Sequence, residues 1–251
     1  RSRWFEYLCY RPLLERYFKE DANFRWEAAP KPRLTDASYK PNFWANYKKW
    51  SDSKKEKAMR TGEWVLTEEE PLFDAADIAR AGKDLFVYHS SVTNRSGLDW
   101  LRRHFKGHRL HVLHFRESNP IHIDATFVLL RPGLALSNRK RVILEPKMIK
   151  LFKKNDWEIV ECAEPALVGY PPLSFCSPWL SMNTLMLDPK TICVDAQEIK
   201  QMEQFDALGF NVIPVPFDAV SAFGGGLHCA TADVYREGTL EDYFPHQIED
   251  Y

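Results

Sequence analysis

The sequence predicts an α/β fold made from one small unit used three times. Three observations carry this prediction. The 251 residues are 45% hydrophobic and 14% aromatic, enough apolar mass for one substantial core or two small ones. From Phe73 onward, three stretches share one order: two short apolar runs around a Gly or Pro turn, a helical period, and a final apolar run. A lone ββαβ unit cannot cover both its sheet and its helix, so copies must pack on one another, and the economical arrangement is cyclic. A propeller-like α/β ring follows, with an open α+β sandwich as the architecture that periodicity leaves open.

The elements follow in order. Arg1 to Glu20 has a helical pattern with Trp4, Leu8, Leu13 and Tyr17 near one face, and the chain opens without methionine, which points to a missing upstream segment. Residues 1–72 then read as a loop-rich, partly exposed excursion, in which Lys54-Lys55-Glu56-Lys57 is a solvated face. Residues 73–251 hold the repeats. In the first, Ala76 to Arg80 and Leu85 to His89 flank Ala81-Gly82, Ser96 to Phe105 is the helix, and Leu110 to Phe115 the last strand. In the second, Thr126 to Leu130 and Leu134 to Ser137 flank Pro132-Gly133, followed by helix Pro146 to Lys153 and strand Trp157 to Glu161. In the third, Asn183 to Leu187 and Thr191 to Asp195 flank Asp188-Pro189, followed by helix Glu198 to Leu208 and strand Val212 to Val215. After Gly224-Gly225-Gly226 a closing strand, Ala232 to Tyr235, is expected.

Composition narrows the function. With 34 basic and 35 acidic side chains nothing global attracts nucleic acid or an anionic membrane, and no apolar run approaches the roughly 20 residues of a membrane span. Five cysteines, Cys9, Cys162, Cys176, Cys193 and Cys229, lack CxxC or Cys/His spacing, which argues against zinc and against a complete disulfide framework. A reducing, cytoplasmic setting fits best. The P-loop, the dinucleotide fingerprint and HExxH are absent from the sequence, so chemistry without a cofactor or metal is favoured.

The repeat also predicts where chemistry sits, because residues just before the first strand of each copy should face one end of the ring. Those residues are Phe73-Asp74, Asn119 to Asp124, Ser177-Pro178-Trp179 and, before the closing strand, Gly226 to Thr231. Two carboxylates, a histidine, a serine and a thiol thus fall at related places, a set suited to Cys/His covalent transfer. The three glycines allow positive φ and close approach, which could aim Cys229 into a cavity; the bland alternative is a buried core thiol. His122, between two isoleucines, is favoured over His228 as the base, since His228 should point away from the thiol in an extended chain. Asp124 should share a side with His122 and raise its basicity.

Phe73-Asp74-Ala75-Ala76-Asp77, His122 to Phe127, Trp179 to Asn183, Val194-Asp195-Ala196 and Gly224 to Cys229 together resemble the L-arginine:glycine amidinotransferase family of the guanidine-modifying (pentein) superfamily. The resemblance runs from about Arg1 to Phe244. It implies a five-module α/β propeller, of which this chain would hold about three modules as one partial domain over residues 1–251. It also implies transfer of an amidino group from arginine to an amine, with release of ornithine. By the resemblance, Cys229 is the nucleophile, His122 the acid and base, and Asp74 its supporting acid. Asp124 grips the guanidinium, Arg141 and Ser177 hold the amino-acid end of the donor, and Asn119 and Ile121 shape the acceptor pocket. Ile121 stands where glycine-using members have methionine, so lysine or a secondary-metabolite amine, as in saxitoxin-type pathways, is as suitable an acceptor as glycine. The implied partners are L-arginine and an amine, without nucleic acid or membrane insertion, and with a homodimer as an allowed assembly. The physics agrees: carboxylates can fix a planar cation while leaving its central carbon open, and a bound cation lowers a thiol's pKa. A hydrolase of the arginine deiminase type and a non-catalytic binding ring are the competing functions.

Overall fold

A computed structural model describes residues 5–116, 122–166, 177–235 and 237–248. Among these residues the repeat is present three times as a ββαβ unit. In the first, β1 (Ile78–Ala81) runs antiparallel to β2 (Asp84–Tyr88), a turn at Gly82 with φ +55° joining them. Helix α4 (Arg95–His104) then returns the chain so that β3 (Arg109–Phe115) lies parallel to β2, with Phe86 opposite His111. The second unit pairs β4 (Phe127–Arg131) antiparallel with β5 (Leu134–Ser137), and helix α5 (Pro146–Lys154) brings β7 (Glu158–Glu161) parallel to β5. The third repeats this with β8 (Leu185–Asp188), β9 (Thr191–Asp195), helix α6 (Ile199–Ala207) and β10 (Asn211–Val215). A two-residue strand, β6 (Val142–Ile143), adds antiparallel to β3 and ties unit two to the sheet of unit one.

Helices α4 and α5 begin and end for local reasons. The Asn94 side chain accepts from the Gly97 amide and caps α4, Pro146 occupies the first turn of α5, and Arg102, Arg103, His104, Lys153 and Lys154 crowd the C-terminal turns, where the backbone dipole favours cations.

Strand alternation decides what each sheet buries. In β2, Leu85 and Val87 face Leu98 and Leu101 of the unit's own helix, whereas Phe86 and Tyr88 face Met148, Leu151 and Phe152 of the next unit's helix. In β5, Ala135 joins that second cluster, while Leu134 and Leu136 turn to Phe205 on α6 and to Ile192 and Val194 on β9. Each of the first two sheets is therefore clasped between its own helix and the following one. On the far side of the third sheet, Leu187 and Ile213 are exposed. The C-terminal segment closes the first interface, with Phe244 wholly buried between Phe86, Phe152 and Trp157.

Two expectations need correction. The expected first helix is present as α1 (Tyr7–Glu20), but the rest of residues 1–72 is less loop-rich than expected: α2 (Phe43–Tyr47) and α3 (Asp52–Thr61) form there, and Phe43, Tyr47, Ala58, Trp64, Leu66 and Leu72 are buried. The charged run Lys54 to Lys57 does lie on the outer side of α3, whose Ala58 faces inward. Ala232 to Tyr235 forms no strand. That segment is exposed, and its two β-favouring residues, Val234 and Tyr235, point to solvent without a ladder partner among the described residues.

Candidate active site

Short 3-10 turns precede the first strand of every unit: Ala75–Asp77 before β1, Ile123–Ala125 before β4 and Pro178–Met182 before β8. Together with the glycine loop after α7 (Asp218–Ser221), they bring one group of side chains together.

At the centre is Cys229. Its thiol donates to Asp124 Oδ2 at 3.3 Å and accepts from Asn183 Nδ2 at 3.2 Å, while its amide donates to Asn183 Oδ1 at 3.0 Å. Asn183 thus clamps both the sulfur and the backbone of this residue. The glycines make the clamp possible. Gly224 has φ +99°, and a Cβ on Gly226 would sit 2.6 Å from both Cβ and Oδ1 of Asn183, closer than any real contact.

Residues 226–231 turn rather than extend, the Ala230 amide donating to Gly226 O and the Thr231 amide to His228 O. This overturns the expectation that His228 points away. Its Nδ1 lies 3.5 Å from the same Asp124 oxygen that receives the thiol. The expected alternation between His122 and Asp124 also fails, because Asp124 sits inside a 3-10 turn and His122 has φ +60°, ψ 119°. The His122 ring instead meets Asp74, with Nε2 3.5 Å from Oδ2.

The electrostatics follow from these contacts. Hydrogen bonding to Asp74 lifts the His122 imidazole above its ordinary value against the opposing effect of burial, and the charges of Asp74, Asp124 and Asp77 add to the rise. Burial alone would raise Asp124, but His228, the thiol and the charge of His122 outweigh it and leave the carboxyl below its usual range. Crowding by protein atoms, and then the charge of Asp124, push the Cys229 thiol up to about 11, although one side of the residue is open to solvent. The thiol is thus held protonated and the imidazole is biased toward its cation. A guanidinium on Asp124 would reverse the first of these, replacing repulsion of a thiolate by attraction.

The remaining sequence-derived residues divide. Arg141 is half-buried, its guanidinium donating to Ala125 O at 3.0 Å on the turn that carries Asp124, and burial lowers its pKa. The Ser177 hydroxyl accepts from the Trp179 amide at 3.1 Å and opens the third turn. Asn119 and Ile121 lie outside the described residues, as does Cys176. Cys162 and Cys193 are buried and held protonated, Cys162 pushed up to about 12, and Cys9 is exposed on α1. Among the described residues no cluster of three or more His, Cys, Asp or Glu could hold a metal ion, and no helix is long and apolar enough to cross a membrane.

Two residues had no role in the sequence reading although they lie within its motifs: Asn183, which clamps Cys229, and Asp77. The Asp77 carboxylate accepts the His122 amide at 2.7 Å. A non-glycine residue at such φ, ψ costs about 1–3 kcal/mol, and a hydrogen bond to a charged group contributes about 1.5–3 kcal/mol, so this single bond is large enough to hold the conformation. The spacing of Asp74 and Asp77, one turn apart, was the available signal.

No family model matches the chain. Its sequence is 44% identical over 245 residues to the mitochondrial glycine amidinotransferase of Danio rerio, covering 97% of this chain and 56% of that protein. It is 39% identical to the L-arginine:L-lysine amidinotransferase of Pseudomonas savastanoi pv. phaseolicola, covering 97% of this chain and 63% of that one. The structure superposes with a TM-score of 0.84 on SxtG, an amidinotransferase of the saxitoxin biosynthetic pathway from Microseira wollei, at 37% identity, covering 97% of this chain and 66% of that chain. The chain thus spans little more than half the length of the glycine amidinotransferases it matches.

Proposed function

The chain belongs to the amidinotransferase family of the pentein superfamily, and from that premise we propose that the protein moves the amidino group of L-arginine to a primary amine through an amidino-cysteine at Cys229. The observation that carries this reading is the bond of the Cys229 thiol to Asp124 Oδ2 at 3.3 Å, with an imidazole seated on its own carboxylate, Asp74, within reach of the Asp124 charge.

Arginine's guanidinium lies against Asp124, and its charge draws the proton off the thiol into solvent. The sulfur attacks the guanidinium carbon. As the bond from that carbon to Nδ of ornithine breaks, the protonated His122 gives its proton to the departing nitrogen. The neutral imidazole next removes a proton from the incoming ammonium. The free amine attacks the amidino carbon, the carbon–sulfur bond breaks, and the thiolate regains a proton as the new guanidino compound leaves. Two half-reactions separated by a covalent intermediate predict ping-pong kinetics. Arg141, through the turn bearing Asp124, and Ser177, at the mouth of the third turn, are the proposed holders of the donor's amino-acid end. Asn119 and Ile121 are the proposed lining of the acceptor pocket, and the acceptor is a primary amine such as glycine, lysine or a biosynthetic intermediate.

We further read the three units as part of a five-unit ring in a single domain. The clasping of each sheet by the following helix supports this, as do the exposed Leu187 and Ile213, which a further unit would cover. A thiol that must stay reduced suits the cytoplasm or another reducing compartment. Incubation with arginine and a panel of amines tests the function. Ornithine with a new guanidino compound is expected, whereas citrulline formed without any amine would make the protein a hydrolase.

A further inference from the structure

The Asp77 carboxylate is shut off from solvent and makes three hydrogen bonds, each as an acceptor. Oδ1 receives the His122 amide at 2.7 Å; Oδ2 receives the hydroxyls of Ser90 at 2.5 Å and Thr93 at 2.6 Å. The direction of the Ser90 proton is fixed by its surroundings. Ser90 Oγ already accepts the amides of Val92 and Thr93, both at 3.0 Å, so its lone pairs are used and its proton can only be given away. Thr93 Oγ1 accepts the Asp74 amide at 3.1 Å. The His122 amide and the Ser90 hydroxyl can therefore only give their protons to Asp77, one at each oxygen, an arrangement that a carboxylate accepts and an asparagine cannot.

Asp77 is also joined to the acid that holds the imidazole. Its own amide donates to Asp74 O at 3.0 Å, and the Asp74 side chain caps the same turn through the Ala76 amide at 3.0 Å. One 3-10 turn consequently grips His122 at two points: Asp74 takes the ring and Asp77 takes the backbone, in a conformation with φ +60° that a non-glycine residue seldom adopts.

We propose that Asp77 is a positioning residue for the reaction, a buried carboxylate that pins the His122 backbone so that the imidazole stays on Asp74. This rests on the reading of His122 as the acid and base. It assigns Asp77 a duty distinct from that of Asp74, because Asp77 touches neither the ring nor the sulfur. Burial lifts the Asp77 carboxyl to about 6 against the pull of its three donors, so the ionised form that the geometry demands is present at neutral pH.

The test compares Asp77→Asn with Ser90→Ala. An asparagine keeps the most bonds by turning its oxygen to the Ser90 and Thr93 hydroxyls, which sets its NH2, a donor, against the His122 amide. Ser90→Ala weakens the same buried network but leaves the bond to His122. In Asp77→Asn the His122 amide is expected to exchange with solvent as an unbonded amide does, and the imidazole, followed by NMR, to titrate lower, toward 6.5. kcat should fall by roughly ten- to a hundredfold, the range for partial loss of general acid–base catalysis, with KM for arginine within twofold. In Ser90→Ala the amide protection and the imidazole titration should stay as in the unaltered protein, whatever the loss of stability. An Asp77→Asn protein whose His122 amide stays protected and whose imidazole titrates unchanged overturns the proposal. If Asp77→Asn does not fold, the unaltered protein carries the test: the His122 amide shift must follow the titration of the Asp77 carboxyl carbon, and an independent shift, or exchange as fast as that of an open loop, overturns the proposal. Should His122→Ala turn out fully active while these NMR results hold, the function assigned to His122 fails and the pinning by Asp77 stands.

Discussion

Replacing Asp124 by asparagine should change the reactivity of Cys229 and the activity of the protein in opposite directions. The carboxylate lies 3.3 Å from the sulfur, and its charge is the largest contributor after burial to a thiol pushed up to about 11. Cys229 is open to solvent, so a water-like dielectric is appropriate. Two unit charges at this separation then repel by about 1.3 kcal/mol, close to one pKa unit. Removing the charge should bring the thiol to about 10 and raise its ionised fraction at pH 8 about tenfold. A thiolate of lower pKa is also a weaker nucleophile, with a Brønsted slope of about 0.45, which cuts the gain to about three- to fourfold. The assay is alkylation by iodoacetamide, a neutral reagent that needs no guanidinium site, followed at the Cys229 peptide by mass spectrometry so that exposed Cys9 does not interfere. Turnover of arginine should meanwhile fall by several orders of magnitude, because the grip on the cation is lost. An alkylation rate that is unchanged or lower in Asp124→Asn would refute the view that this carboxylate holds the resting thiol protonated.

Further predictions concern the scaffold and the imidazole. Gly226→Ala should abolish turnover out of proportion to any loss of stability, since the added Cβ meets Asn183 at 2.6 Å and must displace the clamp on Cys229; activity near that of the unaltered protein would show that the loop has room to spare. Phe244→Ala should lower the free energy of unfolding by about 3–5 kcal/mol in urea titrations, as expected for deletion of a fully buried ring, with the adjoining Phe86, Phe152 and Trp157 losing their contacts. His122 has a folded-state pKa above 6.5 through its bond to Asp74, so its stabilising effect is complete below pH 6.5 and is lost as pH rises through the raised value. The stability difference between the unaltered protein and His122→Ala should accordingly shrink from pH 6 to pH 9, and a difference that widens would contradict the pairing.

Much of the architecture could be read from periodicity because each ββαβ unit announces itself twice, in the turn residues Gly82, Gly133 and Asp188 and in helical runs such as Met148, Leu151 and Phe152. The ends of the strands agreed to within two residues. Ala232 to Tyr235 has the composition of a strand in its two β-favouring side chains, but β propensity does not supply the neighbouring strand that a ladder needs. The buried residues of 36–72 went unread because Phe43, Tyr47 and Trp64 lie in segments too short for a period to emerge. In the site, residue types and their order before each first strand sufficed to bring Asp74, His122, Asp124 and Cys229 into one list. Orientation was not legible. His228 turns to Asp124 through the bend at residues 226–231, and the His122 ring finds Asp74 rather than Asp124 because its backbone is in a conformation that no alternation rule describes. Asp77 and Asn183 escaped for the same reason: both work through bonds to backbone or sulfur across units, which a linear pattern does not encode.

The central claim is a bond between the Cys229 sulfur and the amidino carbon of arginine, and mass spectrometry of protein quenched after exposure to arginine without an amine acceptor tests it most directly. The account predicts a gain equal to one amidino group on the peptide carrying Cys229, lost again when an acceptor amine is added and never formed by Cys229→Ser. Product formation without any such gain at this residue, or with the label on another side chain, would contradict it.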